Sequence, residues 1–455
     1  MADNLQGSAV NAHYLKKVMD MTDEMEVKAT EDIYDARGNK LLAKGARVSR
    51  NLQEKLVVHK LKKPLEACIL VEGGVDERTI TAAAQRLADT SPAIAHIVGR
   101  AGGGKSCTLR SLSKIRFGSA MGMMLTMTER AGTAALDHAV TVSLLSIGLA
   151  ARTGLTDDDQ QVAGLAGLLH DVGELYIDPA YLVRGKRLLP HEWAHLVIHP
   201  HTGQMLITEL EAVPGKVGRA VAEHHERFDG SGYPRRSAAQ LLSQPGQIVS
   251  LAETIGGVLT RDRPLERAAL ALKIIPGEHS RSLLAAIGES LSGAQLPQLL
   301  MSPNDARSGA ESALRLLRRI AYALSVAGQA ISGPGARSAQ ALALLNATVA
   351  RIHIVQRALI STGMDLFSLS AHANDEEIDA SLLFEQEVIT REIQWRLRDI
   401  ARDLALWNGS PNDRLIFVPL INVLDDDFSA EAYEPAQTSP VRVDSERKVT
   451  QLAAA

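Results

Sequence analysis

The eleven residues His224–Pro234, which read HHERFDGSGYP, are the most informative stretch of this 455-residue chain. Two adjacent histidines open the stretch, and a short segment rich in glycine closes it. Gly230 and Gly232 allow the chain to turn tightly, and Pro234 fixes the backbone at the end of that turn. The stretch therefore predicts two imidazole groups placed directly before a compact loop.

Further histidines and carboxylates lie on either side of this stretch. They are His138, His170, Asp171, His199 and Glu253. A lone histidine is more often a packed or solvated side chain than a ligand, but a group of histidines and carboxylates suits iron, manganese, zinc or nickel. Adjacent residues on a helix point about 100° apart. His224 and His225 are therefore expected to face two ions, or one of them binds while the other orients.

The number of candidate ligands favours two metal ions. His224 and His225 bring the set to seven, too many for one ion and suited to two ions that share a bridging water. An aspartate such as Asp171 can bridge two ions. Two metals about 3.5–4 Å apart are a known arrangement for phosphoester hydrolysis, in which hydroxide is generated and the phosphoryl charge is neutralised. The pattern thus predicts phosphoester chemistry.

Residues from about 117 to 300 resemble the HD-GYP family, a bacterial branch of the HD phosphohydrolases. The matching stretches are His170–Gly173, Gly185–Glu192, His199–Gly203, His224–Pro234 and Asp262–Pro264. Residues 30–72 also resemble, less specifically, a small module found ahead of some HD-GYP domains. The fold class expected is mostly α, with an HD-type helical bundle, a small α+β N-terminal module and a helical C-terminal extension.

The resemblance implies both a ligand set and a reaction. The implied metal ligands are His138, His170, Asp171, His199, His224 and His225, with Glu253 where the family normally has an aspartate ligand. The resemblance also implies that the loop with Asp229, Gly230, Gly232, Tyr233 and Pro234 shapes the substrate pocket. Arg235, next to this loop, is predicted to bind substrate because an arginine can hold a phosphate by two contacts. The implied reaction is hydrolysis of cyclic di-GMP to pGpG or GMP. It would use two divalent ions, with iron or manganese first and zinc or nickel as alternatives.

Glu174 is the main departure from the family pattern, because the family usually has lysine there. Glu174 follows His170 by four residues, so on a helix the two would share a face. We predict that Asp171 and Glu174 are catalytic-site residues, with Glu174 an additional ligand or an acceptor that orients a ligand. The alternative for Glu174 is a solvent-facing side chain. The corresponding alternative for the protein is a cyclic di-GMP sensor or interaction scaffold with little or no turnover.

Two further patterns limit the site. Ala134 stands where some relatives have a glutamate that binds a third metal, so no third ion is predicted. Residues Gly99–Ser106 match the phosphate-binding P-loop pattern, and the apolar run Ile94–Val98 precedes them. No series of strands follows, however, and a P-loop needs a parallel sheet around it. These residues are therefore predicted to form a flexible linker.

Composition limits the class of protein and its compartment. Apolar residues make up 45% of the chain and charged residues 22%, which is normal for a globular protein. The net charge of −4 gives no basic field for nucleic acid. Only two cysteines are present, no window resembles a membrane span, and the N-terminus lacks a signal-peptide pattern. The protein is therefore expected in a reducing cytoplasm.

The expected organisation has five parts. They are an α+β module at 1–100, a Gly-rich linker at 101–116, the HD-GYP domain at 117–300, a helical region at 301–424 and a disordered tail at 425–455. The helical region has no chemical motif and is a candidate for dimerisation, regulation or partner binding. Expected partners are cyclic di-GMP, a second copy of the chain, and a GGDEF-type or other signalling protein.

Overall fold

The computed structural model describes residues 10–50, 56, 59–183, 186, 188–210, 213–274, 276–291, 303–333, 337–361 and 380–425. Helices dominate these residues, and the strands are few and short. The predicted fold class is confirmed. It consists of an HD-type helical bundle, a small α+β unit before it and further helices after it.

In its described residues, the N-terminal unit combines two helices with two small antiparallel sheets. Its elements are α1 (Ala12–Thr22), β1 (Val27–Ala29), β2 (Ile33–Tyr34), β3 (Lys40–Leu42), α2 (Leu65–Cys68) and β4 (Ile69–Val71). β1 pairs with β4 and β2 with β3. The sequence Arg37-Gly38-Asn39 between two apolar pairs predicts a hairpin turn, and β2 and β3 form this hairpin, with a φ of 86° at Gly38. Ser49 as a helix N-cap, with Leu52 and Leu56 on one face, predicts a short helix to about His59, and most of this stretch lies outside the described residues.

The apolar run Leu65–Val71 predicts a strand after Pro64, and this prediction is correct only for its second half. Residues Leu65–Cys68 form a helical turn, and the strand begins at Ile69. Pro64 precedes the turn, and its carbonyl oxygen accepts a hydrogen bond from the Ala67 N–H at 3.2 Å. A proline fits the start of a helix because its φ is fixed near the helical value and its missing N–H is not needed there.

Twelve α-helices form the central bundle in the part of residues 77–291 that the structure describes. They are α3 (Glu77–Thr90), α4 (Pro92–Gly99), α5 (Gly104–Leu112), α6 (Ser119–Arg130), α7 (Thr133–Arg152), α8 (Asp157–Leu169), α9 (Pro190–Leu196), α10 (His199–Leu210), α11 (Gly215–Glu223), α12 (Gln244–Gly256), α13 (Pro264–Ile274) and α14 (Arg281–Leu291). α7 packs against both α8 and α12. The apolar core of this bundle is continuous with that of the N-terminal unit.

Helix α7 is the most apolar long helix of the bundle. The stretch Ala134–Arg152 is long and apolar enough to cross a membrane, although 72% of its most apolar window is buried inside the protein. Central helices of soluble proteins meet the same criterion, so this is weak evidence for a membrane span. The packing of α7 against two neighbouring helices accounts for its apolar sequence.

The segment 101–116 is not simply a linker. Helix α5 occupies much of it, and Thr108 and Leu112 are buried one turn apart. The apolar run before it lies in α4 rather than in a strand, and the Lys105 ammonium group binds the Ala88 carbonyl at 3.0 Å. The P-loop pattern therefore has no P-loop structure around it. The linker prediction was wrong over α5, because adjacent glycines obscured its short apolar face.

Among the described residues after 291, four helices follow the bundle and share a hydrophobic core of their own. They are α15 (Pro303–Ser332), α16 (Ala339–Ser361), α17 (Ala380–Ala405) and α18 (Pro411–Leu424). Buried aliphatic residues from all four meet in this second core. The helical character predicted for the C-terminal region is thus confirmed within the described residues.

The N-terminal unit holds the chain segment that follows the His170-Asp171 pair. The Tyr14 and Tyr176 rings are stacked with centroids 5.0 Å apart, and the Tyr176 hydroxyl donates to the Glu66 carboxylate. The Lys17 ammonium group donates to the Leu175 carbonyl at 2.9 Å. Burial raises the pKa of Glu66 and lowers that of Lys17 to about 8. The N-terminal unit is therefore anchored next to the candidate site through buried polar contacts.

We expect Tyr176→Phe to lower the free energy of unfolding by about 1–3 kcal/mol, because the buried Glu66 loses its hydrogen-bond donor. Tyr34→Phe is the matched control, since the Tyr34 hydroxyl makes only a 3.2 Å contact to Asp32. Its cost is expected to stay within about 0.5 kcal/mol. Denaturant titration followed by circular dichroism measures both. Equal costs for the two variants would contradict the anchoring role of Tyr176.

Candidate metal centre

Three of the predicted ligands lie at helix ends rather than within helices. His170 follows α8, His224 follows α11, and His199 comes three residues after the last residue of α9. The pairs His170-Asp171 and His224-His225 were expected to lie within helices, and this expectation was therefore wrong. His170 and Glu174 do not share a regular helical face either, because a 3-10 turn, Val172–Tyr176, begins directly after Asp171.

The same hydrogen bond orients all three rings. Each Nδ1 contacts the carbonyl three residues earlier, at 2.8 Å for His170, 2.7 Å for His199 and 2.6 Å for His224. A carbonyl can only accept, so Nδ1 carries the proton. Carbonyls in the last turn of a helix lack intrahelical partners, which makes them available for this contact. The Nε2 atom of each ring is left to point into the site.

Gly173 brings two of these elements together. A Cβ atom at this position would lie 2.1 Å from the His199 carbonyl oxygen and 2.9 Å from the Gly203 nitrogen. Only a glycine allows the turn after Asp171 to approach α10 so closely. The glycine of the HDVG stretch thus places His199 beside the His170-Asp171 pair.

One group of ligand atoms joins α7, the α8 terminus and α12. The His138 Nε2 lies 2.8 Å from the Glu253 Oε2, and the His170 Nε2 lies 3.0 Å from the Asp171 Oδ2. The His170 Nε2 is also 3.3 Å from the same Glu253 oxygen. His138, His170 and Asp171 offer atoms close enough together to hold one ion.

A second group lies on the other side of Asp171. The Asp171 Oδ1 is 3.4 Å from the His199 Nε2 and 3.6 Å from the His224 Nε2. His199, His224 and His225 offer ligand atoms that, together with an Asp171 oxygen, could hold another ion. The two oxygens of Asp171 therefore face different groups of ligand atoms. An aspartate in this position could bridge two cations.

Unmatched acceptor atoms indicate that these groups fit a cation. The His199 and His224 Nε2 atoms face each other at 3.1 Å. With both protons on Nδ1, two neutral rings would meet lone pair to lone pair, so a cation or an added proton must lie between them. The His170 Nε2, with its ring proton on Nδ1, likewise faces the Asp171 Oδ2 at 3.0 Å as one acceptor against another. Imidazole and carboxylate donors of this kind suit divalent transition metals.

The carboxylates give the centre a negative potential. Burial opposes ionisation of Asp171 and Glu253, yet the neighbouring histidines hold the pKa of both carboxyl groups well below the ordinary range. Burial also acts to lower the pKa of His138 and His170, but Glu253 and Asp171 outweigh it and the net shift is upward. The field that favours the protonated rings also favours a bound cation.

The second group, which consists of His199, His224 and His225 around Asp171, has more histidines for each carboxylate than the first group. Burial lowers the pKa of His224 to about 4 and holds that of His225 well below 6.5, with neighbouring histidines adding to the effect. Burial also acts to lower the pKa of His199, but Asp171 and Glu174 reverse the shift. Neutral imidazole is the metal-binding form, so His224 and His225 are in the state that a metal requires.

Glu174 lies close to the centre without joining either group. Burial raises its pKa to about 7, and the Asp171 charge adds to that effect. Among the described residues, neither set of atoms that could hold an ion includes Glu174. Its predicted role as an extra ligand or acceptor stays a prediction.

The loop after His225 packs back onto the centre. The Tyr233 ring stacks on the His225 ring with centroids 4.6 Å apart, and the Tyr233 N–H donates to the His225 carbonyl at 3.1 Å. A Cβ on Gly232 would lie 2.3 Å from the Arg227 nitrogen, so this position requires glycine. The loop is thereby fixed against one side of the second ligand group.

Glu226 is a residue of this loop whose role the sequence did not indicate. Its buried carboxylate accepts hydrogen bonds from the N–H groups of Arg235 at 2.7 Å and Ser237 at 2.9 Å. It therefore ties the two ends of the loop together. The available signal was its position inside the HHERFDGSGYP stretch, where a charged residue directly follows two candidate ligands.

Comparison with known sequences agrees with this geometry. Residues 122–281 match the HD domain family. This match covers His138, His170, Asp171, His199 and the loop described above. Residues 122–281 therefore form an HD domain of the HD-GYP type. The comparisons do not assign the individual residues of the HD-GYP site.

Three curated relatives of the HD-GYP segment illustrate the range of substrates. A cyclic di-GMP phosphodiesterase of Pseudomonas aeruginosa is 32% identical over 138 residues, which are 30% of this chain and 33% of the relative. The cyclic di-GMP phosphodiesterase response regulator RpfG of Xanthomonas campestris is 30% identical, over 26% and 32%. The 3'3'-cGAMP-specific phosphodiesterase 1 of Vibrio cholerae is 31% identical, over 31% and 32%. The chain spans about a third of each relative.

A cavity of about 380 Å³ opens beside the HD-GYP metal centre. His225 and Glu253 line it at the centre, and Asp229, Gly232 and Tyr233 line it from the loop. These three were predicted to contact substrate. The other predicted contacts, Gly230, Pro234 and Arg235, are not part of this cavity wall. The cavity is within the size range of small-molecule sites.

Proposed function

We propose that this protein is a metal-dependent phosphodiesterase that hydrolyses cyclic di-GMP to pGpG, or further to GMP. The observation that carries the proposal is the pair of ligand groups that share Asp171, one on each carboxylate oxygen. The names of the relatives support a phosphodiesterase activity on cyclic dinucleotides. The cytoplasm remains the compartment that we propose.

The residues proposed to hold two divalent ions are His138, His170, Asp171, His199, His224, His225 and Glu253. When bound, such ions would supply Lewis acidity for the phosphoryl oxygens and a water of lowered pKa. The side chains of the protein would contribute by holding the ligand atoms in place. Asp171 fixes the spacing between the two groups, and the three Nδ1–carbonyl contacts hold the rings in one orientation.

The cavity supports a diester substrate at this centre. Because His225 and Glu253 line the cavity, a phosphodiester bound there would contact the ligand groups while the rest of the molecule fills the remaining space. Arg227 lines the same cavity, and its guanidinium group is held at 2.6 Å by the Ser250 hydroxyl. We propose that this fixed cation orients the phosphodiester, since an arginine is suited to phosphate contacts.

Removal of metal tests the proposal directly. The full chain treated with a chelator and desalted is expected to lose at least about 99% of cyclic di-GMP hydrolysis, because the centre supplies both the nucleophile and the charge neutralisation. Added Mn²⁺ or Fe²⁺ should restore formation of pGpG, followed by ion-exchange chromatography. Added Ca²⁺ serves as the control, because a hard cation prefers oxygen ligands. Full activity in the chelated protein would exclude the metal-dependent mechanism.

The second candidate function is a cyclic di-GMP sensor or scaffold without turnover. Glu174 favours it, because a carboxylate beside Asp171 replaces the positive charge that the family usually carries there. Binding of cyclic di-GMP without formation of pGpG, in protein that contains two equivalents of metal, would support this second function.

A further inference from the structure

The far wall of the cavity is built by the C-terminal helices. Helix α16 contributes Arg351, and helix α17 contributes Trp395, Arg396 and Asp399. The candidate ligand Glu253 lines the same cavity from the HD-GYP side. The region without a chemical motif therefore faces the proposed substrate directly.

Ion pairs hold this wall against the HD-GYP segment. The Arg396 guanidinium donates to both oxygens of Glu278 at 2.7 and 2.6 Å. Arg236, which directly follows the loop, pairs with Asp403, and the Arg402 guanidinium lies 4.3 Å from the Trp193 ring centroid. Paired contacts on both sides of the cavity give the wall a defined position relative to the metal centre.

The charge of the cavity argues against a second phosphate subsite on this wall. The charged lining residues are Asp229, Glu253, Glu278, Glu392 and Asp399 against Arg227, Arg351 and Arg396. The arginines of the far wall already bind carboxylates, with Arg351 donating to Asp399 at 2.8 Å and Arg396 to Glu392 at 2.9 Å. Each of these arginine contacts uses one carboxylate oxygen, Oδ2 of Asp399 and Oε2 of Glu392, so the second oxygen of each carboxylate can accept from a ligand group that donates hydrogen bonds.

Trp395 gives the wall a flat apolar surface. Its side chain lines the cavity and is 41% exposed, unlike the buried Trp193 on the opposite side. Glu392 lies one turn before it and Asp399 one turn after it, so the three side chains share a face of α17. An aromatic ring flanked by carboxylates is suited to a purine, which stacks through its face and donates through its edge.

We propose that α17 carries a nucleobase subsite, in which Trp395 stacks on a guanine and the Glu392 and Asp399 carboxylates accept its N–H groups. The identity of the ligand rests on the proposed function. Guanine has two donor groups, N1–H and the 2-amino group, on its base-pairing edge. Adenine has one donor there beside an acceptor nitrogen, which would face a carboxylate unfavourably. The subsite therefore favours cyclic di-GMP over 3'3'-cGAMP.

Binding to the full chain tests the stacking contact separately from catalysis. Calorimetric titration of cyclic di-GMP into chelator-treated protein measures the dissociation constant without turnover. Trp395→Ala is expected to raise it about 5- to 150-fold, since base stacking on an aromatic side chain contributes about 1–3 kcal/mol. Trp395→Phe should stay within about threefold, because an aromatic face remains. Tyr322→Ala, an exposed aromatic on α15 outside the cavity, is the matched control and should leave binding unchanged.

The role of the Glu392 and Asp399 carboxylates is tested by comparing the dissociation constants of cyclic di-GMP and 3'3'-cGAMP. Glu392→Gln and Asp399→Asn, each made alone, are expected to reduce the preference for cyclic di-GMP over 3'3'-cGAMP at least about fivefold. Equal dissociation constants for wild type and Trp395→Ala, or no binding of either dinucleotide to the wild type, would overturn the subsite. Turnover with added Mn²⁺ is measured in parallel. If binding depends on Trp395 but no turnover is found, the subsite is supported and the enzymatic proposal is refuted. If turnover is found but binding does not depend on Trp395, the enzymatic proposal is supported and the subsite is refuted.

Discussion

We expect Asp171→Asn to lose bound metal and to lower kcat/KM for cyclic di-GMP by at least about a thousandfold, which is about 4 kcal/mol of transition-state stabilisation. Asparagine has nearly the same size and shape as aspartate, so the effect comes from the lost charge and the changed ligand atom and not from altered packing. Asp171 directs Oδ2 to the His170 Nε2 and Oδ1 to the His199 Nε2. An amide keeps one acceptor oxygen and presents an NH₂ group on the other side. One ligand group therefore faces a donor where it had a carboxylate oxygen.

Two measurements check this expectation. Metal content by mass spectrometry should fall from about two ions per chain to one or none, and formation of pGpG should fall with it. The matched control is Asp157→Asn, an exposed carboxylate in the first turn of the same helix, α8. It should keep both metal and rate. If Asp171→Asn retained two ions and its rate, Asp171 would not bridge the two groups, and the proposed centre would have to be abandoned.

The ligand atoms at this centre could be predicted because their chemistry is visible in the sequence. Histidines and carboxylates recur around HHERFDGSGYP, and their number predicts two ions, which Asp171 could bridge. Their local structure could not be predicted in the same way. A hydrophobic period of 3.6 residues does not show where a helix ends, and both ligand pairs lie at helix ends that are fixed by contacts to backbone carbonyls.

The cavity wall on α17 lay beyond sequence reasoning for a different reason. Arg396 meets Glu278 across 118 positions in the chain, and no local pattern relates the two residues. Trp395 lies on a long amphipathic helix, where an aromatic residue usually indicates packing. Its place in the cavity wall is a tertiary property. The helical character of 301–424 was thus predictable, but its contribution to the site was not.

We expect Gly173→Ala to destabilise the fold by about 1–3 kcal/mol and to weaken metal binding more than that loss alone explains. The added Cβ would lie 2.1 Å from the His199 carbonyl oxygen, and backbone atoms on both sides leave no flexible side chain to move. The φ angle of Gly173 lies outside the left-handed region, so alanine has no intrinsic backbone strain there. Steric separation of the turn from α10 is therefore the cause of the effect.

A matched glycine separates this steric effect from the general effect of adding a methyl group. Gly288 lies within α14, and a Cβ there would meet nothing within 4 Å. Gly288→Ala should be neutral or stabilise the protein by up to about 1 kcal/mol, because alanine is the better helix former. Thermal unfolding and metal affinity are measured for both variants. In Gly173→Ala, the added methyl group can displace His199 only through the backbone contact between Gly173 and the His199 carbonyl. An unchanged metal affinity in this variant would therefore show that the position of His199 does not depend on this contact.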